Sequence, residues 1–291
     1  MALAILRTES SLRGLAATRG VNREVFRQRF HRSLMGIKPP DPARLVSPDG
    51  PLIAIIDGLW FRYRGDQVRY CCYTILIRPL STTTAVVVGM TLRRGPESRG
   101  VWERLFDQLP VTIRKRIVAV VSDGFRGVEY LAADRGWQFQ CCQVHLKRKV
   151  AELRGVRHLP GQTLRQQVTR AVHRFLNTPD VREAAHALDQ IHRLFAHPDC
   201  PRTIRTRLVV LLRDPYRFRA CWMRPELNLP ASTNSVECVH GALRRLLTRV
   251  RGFATPKQLR YWIRVFHTTM PTVTCRGVRD LAGEKHSISL S

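Results

Sequence analysis

Residues 117–124 read Ile117-Val118-Ala119-Val120-Val121-Ser122-Asp123-Gly124. Five β-prone apolar residues in a row read as a short buried strand. An acid placed where such a strand ends stands at the rim of a sheet, where carboxylates can meet a ligand. The pattern recurs upstream, where Leu52-Ile53-Ala54-Ile55-Ile56 runs into Asp57 and Gly58. Two strands that each end in Asp-Gly put two carboxylates, Asp57 and Asp123, on one edge of one sheet. The competing reading of each Asp-Gly is a plain turn, a role that suits both residue types.

Working outward, 52–63, 68–78 and 82–92 read as strands, the first two separated by Gly65-Asp66 as in a hairpin. Ser98 is placed to cap a helix carrying Val101, Trp102, Leu105 and Leu109. Beyond the Asp123 strand come a short helix over 126–135, stopped by Gly136, and a fifth strand over 137–142. His145 then opens a basic helix with Lys147, Arg148 and Lys149. The order β-β-β-α-β-α-β matches a ribonuclease H-like core, an α/β fold with a mixed five-stranded sheet and flanking helices. In that fold the first and fourth strands are neighbours. The likeness to the fold, not periodicity, brings Asp57 beside Asp123.

The chain has 291 residues and carries 49 Lys+Arg against 22 Asp+Glu, a formal charge of +27. Such an excess suits a polyanion, and nucleic acid is the commonest large one. Arg outnumbers Lys, which favours bidentate phosphate contacts. The blander sources are a basic ribosomal-type protein or the Arg bias of a GC-rich genome. Adjacent cysteine pairs (Cys71-Cys72, Cys141-Cys142) and the lack of any Cys-x-x-Cys point to reduced, buried thiols of an intracellular protein. The opening MALAIL is too short for a signal-peptide core, and no apolar stretch reaches the ~20 residues of a membrane span. A soluble, cytoplasmic, nucleoid-associated protein of a bacterium or archaeon is expected, with no membrane partner.

Residues 1–36 read as a helix-turn-helix-like DNA-binding region. Leu12, Leu15 and Ala16 face inward on one helix, Gly20 ends it, and Val21 packs the turn. Asn22 caps a second helix whose Val25, Phe26 and Phe30 face inward, while Arg23, Arg27 and Gln28 are offered to DNA. A plain basic helical hairpin is the alternative. Five prolines make 37–51 a linker that forms neither helix nor central strand. The core's first part would be 52–150, followed by a helical insertion over 151–231. Its stripes are Leu164, Val168, Val172 and Phe175, then Val181, Ala185, Leu188, Ile191 and Phe195, then Ile204, Leu208, Leu211 and Leu212. Thr178-Pro179 reads as a cap with Pro in the first turn.

The core resumes over 232–275. A helix from Ser232-Thr233-Asn234 buries Val236, Val239, Leu243, Leu246 and Val250, with Glu237 beside that stripe, and Arg244, Arg245, Arg249 and Arg251 project for DNA. A last helix, capped by Thr255 before Pro256, carries Leu259, Trp262, Ile263 and Phe266, and 276–291 is a polar tail. Two-metal phosphoryl transfer needs several carboxylates converging on ions about 3.5–4 Å apart, and Asp57, Asp123 and Glu237 are of the hard-oxygen type. Glu237 also reads as a capping-box partner of Asn234, a partner of Arg244, or a solvent-facing acid.

The stretch VSDGFRGVEYL…WQFQCCQVHLKRKV resembles the mutator-like group of DDE transposases and its bacterial insertion-sequence relatives. That group carries a Cys/Asp-x-x-His signature one strand after the second Asp, here Cys142-Gln143-Val144-His145. It also has a helical insertion before a catalytic Glu that follows Thr-Asn or Asn-Asn, as in STNSVE. The resemblance covers roughly residues 50–268. It implies that Asp57, Asp123 and Glu237 form a metal-binding catalytic triad using Mg2+, with Mn2+ as a substitute. Cys142 and His145 would support the active site; two such ligands are too few for zinc. The implied reaction is strand cleavage at element ends, then attack of the freed 3′-hydroxyl on target DNA by a homodimer or larger assembly. The alternatives are a silent, domesticated DNA-binding descendant and another RNase H-like nuclease.

Overall fold

A computed structural model of the chain describes residues 12–62, 68–152, 162–249, 255–278 and 280. Its centre is a mixed sheet. β1 (Leu52–Arg62), β2 (Arg69–Pro79) and β3 (Thr84–Arg94) form an antiparallel meander. β4 (Ile117–Ser122) pairs parallel with β1, and β5 (Gln138–Cys141) parallel with β4. A sixth strand, β6 (Thr272–Thr274), lies antiparallel on β3, so the spatial order is β5-β4-β1-β2-β3-β6. Five strands were expected. Thr-Val-Thr is too short to show alternation, and pairing to the β3 edge makes it a strand.

β1 fills the expected stretch as far as Arg62, so Asp57-Gly58 lies within the strand and not at its end. Its ladder with β2 continues through Asp57↔Thr74 and Gly58↔Tyr73 to Arg62↔Arg69, so no turn forms there. The parallel ladder with β4 stops at Ile55↔Val121, which leaves Asp57 beside the end of β4. The long β2 pairing, not the local dipeptide, decides where β1 stops.

Helices α1 (Leu12–Thr18) and α2 (Arg23–Met35) flank a turn in which Gly20 has φ +60°. Glu24 N–H donates to the Asn22 side chain, as a cap requires. Ala16 and Phe26 are buried, but Val25 is 42% exposed; α2 packs its Phe26 side inward, and the adjacent position turns away. The side chains of Leu12, Leu15, Arg23, Arg27 and Phe30 lie outside the described residues. The proline-rich stretch does hold one helical turn, α3 (Pro42–Leu45). Pro42 takes the first position, where no N–H is needed, and Asp41 caps it.

α4 (Arg99–Asp107), α5 (Val111–Arg114) and α6 (Arg126–Asp134) cover one face of the sheet. There Leu52, Ala54 and Ile56 meet Trp102, Phe106, Val128 and Leu131. Ser98 caps α4 by position only; its side chain makes no cap bond, and its N–H donates to Tyr73 Oη (3.1 Å). α7 (Gln143–Ala151) is preceded by Cys142 in the cap position, so His145 is its third residue and not its first. α8 (Gln162–Asn177), α9 (Val181–Ala196) and α10 (Arg202–Arg213) enclose a separate core with Phe175, Ile191 and Leu208. Asp180 caps α9 in place of Thr178. The α9 stripe is Ala184, Ala187, Ile191 and Leu194, shifted from the expected positions; Val181 is 76% exposed.

After the short α11 (Ala220–Met223) come α12 (Asn234–Arg249) and α13 (Pro256–Thr269). They cover the other sheet face, where Ile53, Ile55 and Leu59 meet Val236, Val239, Trp262 and Phe266. α2 packs on α13. Among the described residues no helix is long and apolar enough to cross a membrane.

Candidate active site

β4 delivers Asp123. The strand ends at Ser122, and the chain turns at Gly124 with φ +97°. A Cβ at Gly124 would stand 2.7 Å from Cys141 Sγ, so only glycine lets the turn lie against β5. Phe125 N–H donates to Asp123 Oδ1 (3.1 Å), which fixes the carboxyl at the sheet rim.

Asp57 stands one strand over and is 12% exposed. Gly58 N–H donates to its Oδ1 (2.8 Å). His240 Nδ1 lies 3.7 Å from Oδ2, but burial pushes this imidazole down to about 3, so it is neutral and gives Asp57 no ion pair. Its Nε2 is instead bonded with Thr74 Oγ1 (2.9 Å). Burial, and next the Asp123 charge, push the Asp57 carboxyl up to about 7; Gly58 N–H and His145 pull the other way.

Glu237 sits in the first turn of α12. It neither caps Asn234 nor meets Arg244. Its Oε2 accepts from Arg148 Nη2 of α7 (2.8 Å), while Oε1 is buried with no partner among the described residues. Asp57 feels its charge.

Cys142 joins the two acid-bearing elements. Its N–H donates to Ser122 O (2.7 Å), next to Asp123. Its Sγ accepts from Thr233 N–H (3.3 Å) and Thr233 Oγ1 (3.4 Å), and Thr233 O accepts from Glu237 N–H (3.0 Å). Burial drives the thiol pKa up, but bonding with His145 and Thr233 outweighs it, and the net shift is downward. The Cys142 contact raises the His145 pKa against its own burial. Both shifts favour the charged form of the group concerned, and Asp57 and Asp123 add to the rise at His145.

Sequence reasoning missed Glu97. It lies in the connection from β3 to α4, accepts from Trp102 Nε1–H through Oε1 (2.7 Å), and is pushed up to about 7 by burial, then by Asp123 and Asp57. No periodicity marks a loop acid; the available signal was an acid followed five residues later by a core tryptophan.

A consequence is a pH-dependent stability. Asp57 binds its proton more tightly folded than unfolded. Its contribution is therefore fully present below its ordinary 3.8 and lost as pH rises through about 7. The loss is about 4 kcal/mol. Unfolding free energy from urea titrations is expected to fall between pH 4 and 7 relative to Asp57→Asn. Parallel curves for the two proteins would contradict this.

The candidate DNA contacts separate into groups. Gln28, Lys149, Arg244, Arg245 and Arg249 are exposed. Lys147 is half-buried and spends its Nζ on Asn177 Oδ1 (2.7 Å), and Arg148 is held by Glu237. Arg251 and the side chains of Arg23 and Arg27 lie outside the described residues. Among the described residues no three His, Cys, Asp or Glu side chains stand grouped to hold a metal ion. The donor chemistry nonetheless fits a hard divalent cation: Asp57, Asp123 and Glu237 offer carboxylate oxygens, and Glu237 Oε1 lacks any partner.

The family model described as "Transposase, Mutator family" matches residues 52–269, more than half of the chain. The stretch takes in Asp57, Glu97, Asp123, Cys142, His145 and Glu237. A search of curated proteins finds no match.

Proposed function

This chain belongs to the Mutator family of transposases, and from that premise we propose that it cuts and joins DNA strands by a DDE mechanism through Asp57, Asp123 and Glu237 with Mg2+. The observation that carries the reading is the pairing of β1 with β4, which sets Asp57 near enough to Asp123 for their charges to repel. The chain carries +27, yet among the described residues neither acid has an Arg or Lys partner. Carboxylates kept apart from the protein's own cations make a site for a cation from solution. The strand order supports a ribonuclease H-like assignment of the core.

Bound Mg2+ supplies Lewis-acid stabilisation of the charge that develops on the scissile phosphate. The protein's own residues do the positioning. Asp57 and Asp123 present oxygens from a rigid sheet, and Glu237 presents a third from α12. Cys142 ties the β4 rim to the start of α12, so the three acids keep their relative places. His145, beside Cys142, would meet a phosphate oxygen. Arg244, Arg245 and Lys149 would bind DNA through phosphates, so affinity should fall steeply with salt. The α1–α2 pair, with Arg23, Arg27 and Gln28, would act as a helix-turn-helix, and a dimer or larger assembly would join two element ends.

The test uses purified full-length protein, Mg2+ and duplexes carrying the DNA that flanks its gene. Cleavage leaving a 3′-hydroxyl is expected, and a pre-cut end should join to target DNA. DNA binding without either reaction, in Mg2+ and in Mn2+, would favour a DNA-binding protein and sink the proposal.

A further inference from the structure

We propose that Glu97 is a fourth carboxylate of this site, turned toward the same cation from the opposite face of the sheet; the inference rests on the three-acid reading above. Side chains alternate along β1. Ile53, Ile55 and Leu59 face α12, so Asp57 falls on the face from which Glu237 comes. Gly58 falls on the other face, with Ile56 and Trp102. Glu97 reaches the strand on that second face, immediately beside Asp57.

Its carboxylate is oriented. Trp102 is fully buried, and its Nε1–H holds Oε1 at 2.7 Å. Among the described residues Oε2 has no hydrogen bond and no ion pair. Other acids of this chain find arginines: Asp107 bonds Arg135, Glu129 bonds Arg217, and Asp134 bonds Arg99. Glu97, Asp57 and Asp123 do not, although burial makes their charge expensive.

The space for Oε2 comes from Gly58. A Cβ there would stand 3.3 Å from Glu97 Oε2 and 2.8 Å from Cys71 Sγ. Glycine inside a strand weakens it and marks a close approach. Here the approach is by the one carboxylate oxygen, Oε2, that has no hydrogen bond among the described residues. On the first face, Glu237 Oε1 is likewise buried and unpartnered. Unmatched oxygens thus bracket the rim from both faces, an arrangement that one oxygen-seeking divalent cation would satisfy.

The test is Mn2+ binding to the full-length protein without DNA, read from the electron paramagnetic resonance signal of free Mn2+. Glu97→Gln keeps an acceptor for Trp102 and removes only the charge. It is expected to weaken Mn2+ binding roughly tenfold or more, with an unchanged or higher melting temperature without metal. Glu97→Asp, which keeps the charge but withdraws it, should recover part of the loss. Unaltered Mn2+ affinity in Glu97→Gln, with binding lost in Asp57→Asn, would overturn the role of Glu97 alone. Unaltered affinity in Asp57→Asn would overturn the three-acid reading and this proposal with it.

Discussion

Asp123→Asn is expected to slow strand cleavage roughly a thousandfold while leaving the fold intact. Asp123 lies just past the last residue of β4, and its one local bond, from Phe125 N–H to Oδ1, can be kept by the amide oxygen. The charge is what disappears. A cation-binding carboxylate contributes several kcal/mol to stabilising the transition state, and about 4 kcal/mol corresponds to roughly a thousandfold in rate. The same change relieves Asp57 of its main charge repulsion, so the thermal midpoint should hold or rise. Single-turnover cleavage beside a melting curve checks both. A rate within tenfold of the parent protein would remove Asp123 from the chemistry.

Arg78→Ala is expected to cost about 3–5 kcal/mol, the scale for breaking a buried charged network. Arg78 is fully buried in β2. Its Nη2 donates to Asn228 O (2.5 Å), Nη1 donates to Cys275 O (3.3 Å), and Asp280 stands 3.8 Å away. Asn228 holds a left-handed φ of 43° and its Nδ2 donates to both Asp280 oxygens. One guanidinium therefore ties the sheet to the loop before α12 and to the chain after β6. Alanine leaves two carbonyls short of a donor, takes the nearby opposite charge from Asp280 and opens a cavity beside them. Domains hold only about 5–15 kcal/mol in all, so the loss would approach half of some totals. Arg78→Lys restores charge without the planar fork and should recover part. Urea titration decides the matter; a loss under 1 kcal/mol would show the network to be dispensable.

The parts legible in the sequence were those set by local pattern. The Ile117–Val121 run gave β4, and the acid after it gave the rim position of Asp123. The helical spacing around Val236 and Val239 placed α12 and the side that Glu237 takes. What stayed hidden depends on partners far along the chain. Asp57 stands within β1 and not at its end because β2 continues to pair with the strand beyond it. β6 exists only against the β3 edge. Arg148 and Glu237 are 89 residues apart. Glu97 looks like an ordinary loop acid until Trp102 and Gly58 close around it. Ser98 does hold the cap position of α4, though without a side-chain bond, whereas at α9 Asp180 takes the place expected of Thr178.

The Arg148–Glu237 bond has a consequence for how two ligands act together. One guanidinium cannot serve a carboxylate and a DNA phosphate at once. If the proposed function holds, a phosphate that draws Arg148 away would leave Glu237 with both oxygens unmatched and so raise its affinity for a divalent ion. By thermodynamic reciprocity, an ion that took Glu237 would release Arg148 and tighten the hold on DNA by the same factor. Polyanion and cation, which compete for each other in free solution, would become mutual helpers on this surface.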